Sequence, residues 1–202
     1  MNPIAEAVLP PATAGAARIS ACGRYRWWLE RRWHRGQPML LFIGLNPSRA
    51  DGLRDDPTLR RLQGFARAWG YGGLEVLNLF ARISASPAAL RRCADPVGPQ
   101  NDRWLRARLR ALPAGAAIWL GWGNGGAWRE RDRQVLQLIA DTCCSTVAIG
   151  SPGADPRAGA PPLLCLGLTA SGRPRHPLYA AGDAQPRPLQ HPGTAFRDVT
   201  PF

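Results

Sequence analysis

Apolar residues in this chain come in short continuous runs, separated by stretches in which they recur at helical spacing. The strongest run is Met39-Leu40-Leu41-Phe42-Ile43. An unbroken run of that length predicts a strand buried on both faces, as in a parallel α/β sheet. It stops at Gly44-Leu45-Asn46-Pro47-Ser48. Asp56-Pro57-Thr58 then predicts a helix start, with Asp as N-cap and Pro at the first helical position. Leu59, Leu62, Phe65, Ala66 and Trp69 keep helical spacing until Gly70-Tyr71-Gly72-Gly73 ends it. Residues 74–80 predict a second strand, parallel to the first across a β-α-β unit.

The pattern repeats further on. Asn101 or Asp102 is expected to cap a helix carrying Leu105, Leu109 and Leu112 on one face. Residues 115–120 predict a third parallel strand, followed by a helix to about Cys143. A short strand is expected over Thr146–Ile149, and a last one over residues 163–168. Upstream, Tyr25, Trp27, Leu29 and Trp33 alternate at strand period, and Gly36-Gln37-Pro38 turns the chain, which predicts a hairpin into the 39–45 strand. The expected architecture is a three-layer α/β/α domain over residues 20–181. Its central sheet is mainly parallel, with four or so strands and an N-terminal β-hairpin added. Residues 1–19 are expected to be disordered or loosely attached, and 182–202 to form a mobile Pro-rich tail.

Composition narrows the class. Of 202 residues 45% are hydrophobic, which suits a globular chain. No apolar run approaches the ~20 residues that span a bilayer, and the N-terminus lacks the basic start and apolar centre of a secretory signal. A soluble, cytoplasmic protein is expected, and a monomer. The 26 basic residues are all Arg and outnumber the 14 acidic ones, for a net charge of +12. Such an excess favours a polyanionic partner, nucleic acid or nucleotide, through counterion release. The five Cys (22, 93, 143, 144, 165) contain no Cys-x-x-Cys pair and no Cys/His ligand spacing, so neither a metal cluster nor a disulfide framework is expected, and no cofactor.

Ligands of open α/β sheets collect at the carboxyl ends of the strands. Asn46 and Asn78 fall at two such ends, and His176, set between Arg175 and Pro177, follows the last strand. Asp51, Asp55 and Asp56 sit close to Asn46 and offer a possible carboxylate, or a seat for hydrated Mg²⁺. Their plain roles are an N-cap for Asp56 and ion pairs with Arg49, Arg54 and Arg60. Gly121 to Gly126 allow close approach to a ligand and lead into a helix N-terminus suited to an anion. Arg103, Arg106 and Arg110 share a helix face that is solvated by default. His34 reads as a turn residue.

Several motifs in order resemble a bacterial family known only as a domain of unknown function. They are Cys-Gly-Arg-Tyr-Arg (22–26), Leu-Asn-Pro-Ser (45–48), Asp-Asp-Pro-Thr (55–58), Asn-Leu-Phe-Ala (78–81), Asp-Pro-Val-Gly-Pro (95–99) with Asn101-Asp102, Trp122-Gly123, and Gly-Arg-Pro-Arg-His-Pro-Leu-Tyr (172–179). The chain departs from that family at Arg49, where Thr is usual, and at Ile83-Ser84-Ala85-Ser86-Pro87, where Arg-Ala-Thr-Asp-Pro is expected.

More distantly, Gly-Leu-Asn-Pro-Ser (44–48), Asn78 and His176-Pro177 are similar to strand-end motifs of the uracil-DNA glycosylase superfamily. That similarity implies a glycosylase-like fold and cleavage of an N-glycosidic bond in nucleic acid, DNA in the first place. It implies Asn46 and His176 as catalytic residues, Asn46 holding water below the sugar and His176 meeting the departing base. Asn78 would read the base edge, with Phe80 or Tyr179 stacking on it. Ser48, Gly123 and Arg175 would hold phosphate. Position 46 is Asn rather than Asp, so the water lacks a strong base. A non-catalytic nucleic-acid or nucleotide binder with the same pocket is the alternative, and a metal-dependent nucleotide hydrolase or transferase is a third reading.

Overall fold

The computed structural model describes residues 15–144 and 160–189. One seven-stranded mixed sheet runs through it. Its strands are β1 (Gly15–Ile19), β2 (Arg26–Arg32), β3 (Met39–Gly44), β4 (Gly73–Asn78), β5 (Ala117–Leu120), β6 (Leu163–Cys165) and β7 (Arg187–Pro188). They lie in the order β1-β2-β4-β3-β5-β6-β7. The central four, β4-β3-β5-β6, are parallel, and β1, β2 and β7 add antiparallel edges. All six residues of β3 are buried, as its unbroken apolar run requires of a strand with parallel neighbours on both sides.

Helix α1 (Pro57–Ala68) starts where the sequence places it: the Asp56 carboxylate accepts the Leu59 N–H at 2.8 Å, and Pro57 opens the first turn. Leu59, Leu62, Phe65 and Ala66 pack on Leu40, Phe42, Val76 and Trp119. The opposite face, Leu41, Ile43, Leu77, Ile118 and Leu120, is covered by α3 (Asn101–Arg110) and α4 (Arg131–Cys144), through Leu105, Leu109, Val135 and Ile139. Helices thus cover both faces of the central strands and leave their ends open to solvent. A short helix α2 (Pro87–Arg91) begins at Ser86, whose hydroxyl accepts the Ala89 N–H. None of the helices among the described residues is long and apolar enough to cross a membrane.

Four expectations change. Strand β2 does alternate as expected, but it pairs with β4 rather than forming a hairpin with β3. Both edges of β3 are taken by β4 and β5, so the antiparallel strand can only join the outer edge of β4. Residues 15–19, expected to be loose, form β1 and pair with β2. In the tail, Arg187 and Pro188 pair with β6. Finally, Gln100, with φ 67°, holds the N-cap position of α3 without a side-chain cap, because Asn101 is turned inward to another task. The strand expected over 146–149 lies outside the described residues, as does the tail beyond 189.

Candidate functional site

In the order β4-β3-β5 the chain goes from β3 through α1 to one side, and the next strand of the core lies on the other. An open α/β sheet leaves a crevice at the carboxyl ends of two such strands. The cleft of this structure opens on the other side of β3, at the carboxyl ends of β3 and β4 and without a lining residue from β5, and Asn46, Asn78 and His176 all line it, together with Ser48, Asp56 and Arg26. Its cavity volume is about 30 Å³, with about 340 Å³ of free space when the open mouth is counted. The interior as it stands admits roughly one or two water-sized groups.

Asn78 ends β4 and is 4% exposed. Its main-chain oxygen accepts from the Asn101 amide at 3.2 Å. Among the described residues no protein group bonds its own carboxamide, so donor and acceptor are both offered to the cleft. Gly44 makes room for it, since a Cβ there would stand 3.0 Å from Asn78 Nδ2 and 2.8 Å from the Phe42 ring.

Asn46 is half-buried. Its Nδ2 donates to the carbonyls of Pro47 and Ser84, both at 3.0 Å, which ties the β3 loop to the chain after β4. That fixes the amide's orientation and leaves Oδ1 as its remaining acceptor.

His176 is held from three sides. Gly123 N–H donates to Pro174 O at 2.8 Å, Arg61 Nε donates to Pro177 O at 2.9 Å, and Arg173 joins Asp132 at 3.2 Å. Its Nδ1 accepts the Leu178 N–H at 3.3 Å. Burial holds the imidazole below its ordinary pKa, so the ring is neutral at pH 7, with its proton on Nε2.

The acidic cluster does not act as a unit. Asp51 Oδ1 accepts the Leu53 and Arg54 N–H groups at 2.8 and 2.7 Å, and these bonds hold its carboxyl below the usual range. Asp55 pairs with buried Arg31 at 2.8 Å and takes the Gln63 amide at 2.6 Å. Asp56, besides capping α1, accepts from Ser48 Oγ and from Ala50 N–H. Asp56 alone of the three lines the cleft, and its oxygens are already engaged. The ion-pair partner expected among Arg49, Arg54 and Arg60 is instead Arg31, from β2. Among the described residues no group of three or more His, Cys, Asp or Glu side chains is placed to hold a metal ion.

Further site expectations need correction. Phe80 is fully buried on the far side of the sheet, against Trp128 at 5.1 Å, and cannot stack on a ligand in this cleft. The aromatic in the cleft wall is Phe42. The Gly123 N–H is spent on Pro174, and residues 123–130 form a 3₁₀ segment with a kink at Trp128 and Arg129, so no α-helix N-terminus faces an anion there. Ser48 spends its proton on Asp56. Arg175 is exposed, donating to Leu168 O outside the cleft lining, and Tyr179 is 84% exposed beside the His176 ring at 6.0 Å.

A family model described as a protein of unknown function, DUF1643, matches residues 26–178. The chain belongs to that family. The DUF1643 match begins at Arg26 and runs past His176, so it takes in every cleft residue named above. No curated protein and no solved structure matches the chain.

Two kinds of residue at or behind the cleft of this DUF1643 chain escape a reading of the sequence. Asn101 and Arg131 position the end of β4: Asn101 Nδ2 and Arg131 Nε both donate to Leu79 O, at 2.9 and 2.8 Å. The pair Asn101-Asp102 stands among the recurring motifs, which was the available signal. Arg26 is the other. It is 4% exposed, and burial lowers its pKa to about 10 against the opposing pull of Asp56 and Asp51. It too stands in a motif, but an Arg within an aromatic strand reads as surface.

Proposed function

We propose that this protein is a glycosylase-like hydrolase acting on the N-glycosidic bond of an unpaired or flipped base in nucleic acid. The observation that carries the reading is the meeting of Asn46, Asn78 and His176 in one cleft at the strand ends, although 32 residues and then 98 residues separate them along the chain. The strand order β4-β3-β5-β6 and the net charge of +12 support it too.

The chemistry follows from the groups present. The C1′–N bond breaks, its electron pair leaves with the base, and the sugar becomes oxocarbenium-like. Asn78 presents an adjacent donor and acceptor, which pair with the acceptor–donor edge of a ring. Neutral His176, with Nε2–H as donor, meets the charge that grows on the base. The Asn46 oxygen orients a water toward C1′; the water's oxygen bonds to C1′ and its proton passes to solvent. With no free carboxylate in the cleft among the described residues, proton removal is slow. Admission of a whole base requires the mouth near His176 and Tyr179 to widen, as base-flipping sites do when the nucleotide leaves the stack.

Labelled strands containing uracil, hypoxanthine or a mismatch, incubated with the protein and then treated with alkali, test the reading. Strand breaks above the level of an Asn46→Ala, His176→Ala double variant are expected; equal levels would sink the catalytic reading. A non-catalytic nucleic-acid binder is favoured by one observation: the carboxylate that lines the cleft, Asp56, is taken up by Ser48, Ala50 and Leu59. Steeply salt-dependent binding without cleavage is its signature.

A further inference from the structure

The cleft contains a cation that its proposed chemistry does not use. Arg26 opens β2, and because β2 runs antiparallel beside β4, its start lies against the end of β4 where Asn78 stands. The turn at Ala50 closes over it: Arg26 Nη1 donates to Ala50 O at 2.7 Å. That carbonyl is its one protein acceptor among the described residues, Nε is buried without any, and no carboxylate lies within ion-pair distance. Asp56 is near enough to attract it, but the Asp56 oxygens are taken by Ser48, Ala50 and Leu59. Burying a guanidinium without a direct counter-charge is costly. A site that keeps one gains from a ligand that completes the pair.

We propose that Arg26 is a ligand-binding residue of this cleft, donating to a ring oxygen that carries or gains negative charge on a planar heterocycle. Two features favour a ring oxygen over a phosphate. The Asn78 carboxamide in the same cleft offers a donor beside an acceptor, which the edge of a ring can match and an acceptor-only phosphate cannot. The Asp56 carboxylate lines the same cleft and repels a dianion more than a single oxygen with spread charge. Asn78 lies in the same wall, so one ring can meet the carboxamide and the guanidinium together. Applied to the glycosylase reading, on which this extension rests, Arg26 would stabilise the departing base beside His176.

The test is calorimetric titration of the full chain with barbiturate, a pyrimidine trione that is anionic at neutral pH, with uracil, an uncharged pyrimidine dione, and with inorganic phosphate. The wild-type protein is expected to bind barbiturate at least about tenfold more tightly than uracil, the size of one charge-assisted hydrogen bond. Arg26→Gln should erase that preference while Arg26→Lys keeps part of it, both checked for native circular dichroism. Equal binding of the two rings by the wild type, no binding of either, persistence of the preference in Arg26→Gln, or displacement of barbiturate by phosphate at equal concentration would each overturn the proposal. If both variants unfold, the wild-type comparison of the three probes still decides. Strand cleavage is scored separately: a ring preference without cleavage removes the catalysis and leaves this role of Arg26 standing.

Discussion

Asn101, at the start of α3, donates from one amide nitrogen to the main-chain oxygens of both Asn78 and Leu79, at 3.2 and 2.9 Å. The helix thereby holds the end of β4 from below while the Asn78 side chain faces the cleft above. Backbone oxygens at a strand end have no ladder partner, and a buried one without a donor costs about 1–3 kcal/mol. Asn101→Ala should therefore lower stability by about 1–2 kcal/mol in urea unfolding, since Leu79 O keeps Arg131. Asn101→Asp, which sets a carboxylate against two carbonyls, should cost more; equal stability of the aspartate variant and wild type would contradict the assignment.

Gly44 is the floor on which Asn78 rests. A methyl group there meets the Phe42 ring at 2.8 Å and Asn78 Nδ2 at 3.0 Å, and the ring itself is wedged against Trp119 with centroids 4.8 Å apart. Gly44→Ala should destabilise by about 1–3 kcal/mol, as overpacking does, and should weaken ligand binding more than Gly64→Ala, whose Cβ would meet open space. Thermal melts and titrations of the two variants side by side make the comparison.

The His176 ring is half-buried in its neutral form, with a pKa below the ordinary value near 6.5. The unfolded chain therefore takes up the proton first as pH falls, so stability from this residue is complete above about pH 6.5 and is lost as pH drops through the lowered folded value. Urea midpoints of wild type should fall between pH 7.5 and pH 5, and those of His176→Gln should fall less. Activity that depends on the neutral ring should decline over the same interval.

Glu75 is buried on β4, where Arg108 grips it through Nε at 2.7 Å and a second Nη2 bond, and the Trp28 indole donates to it at 2.9 Å. Arg108→Met leaves that carboxylate with the indole alone, and loss of one partner from a buried pair costs about 3 kcal/mol. Arg108→Met with Glu75→Leu should recover much of the loss, because the uncompensated charge is gone. A double variant no more stable than the single one would refute this account.

Cys22 is exposed, and hydrogen bonds from Ser20 and Arg24 hold its thiol down to about 6. Thiolate is the reactive form, so iodoacetamide at pH 7 should label Cys22 well before Cys93 or Cys165. Ser20→Ala should shift the midpoint of the rate against pH upward.

The Asn101 expectation shows where local reading stops. An Asn at a helix start is a good cap, and the sequence contains nothing to say that a strand end 23 residues away needs its amide more. Phe80 shows the same limit differently. Asn78 and Phe80 share strand parity, but β4 ends at Asn78, and beyond it Leu79 and Phe80 both turn into the α3/α4 face. Asp56 was legible as a cap and Asp55 as an ion partner, though not the partner itself, since Arg31 comes from a strand that the pattern attached to the wrong neighbour, while Asp51 accepts backbone N–H groups instead.

What the amino-acid pattern determined alone was the local order of elements: β3 as a strand buried on both faces, α1 from Asp56, β4, β5 and α4, each written in a period that one face or two buried faces impose. It also placed Asn46 and Asn78 at strand ends. Tertiary structure decided which strand lies beside which, and through that the composition of the cleft: β2 brings Arg26 to the end of β4, and the arm from Thr169 to Tyr179, held by Arg61, Gly123 and Asp132, sets His176 opposite. Alternation records which way a side chain points and says nothing of its neighbour, because sheet pairing and charge burial depend on residues distant in the chain.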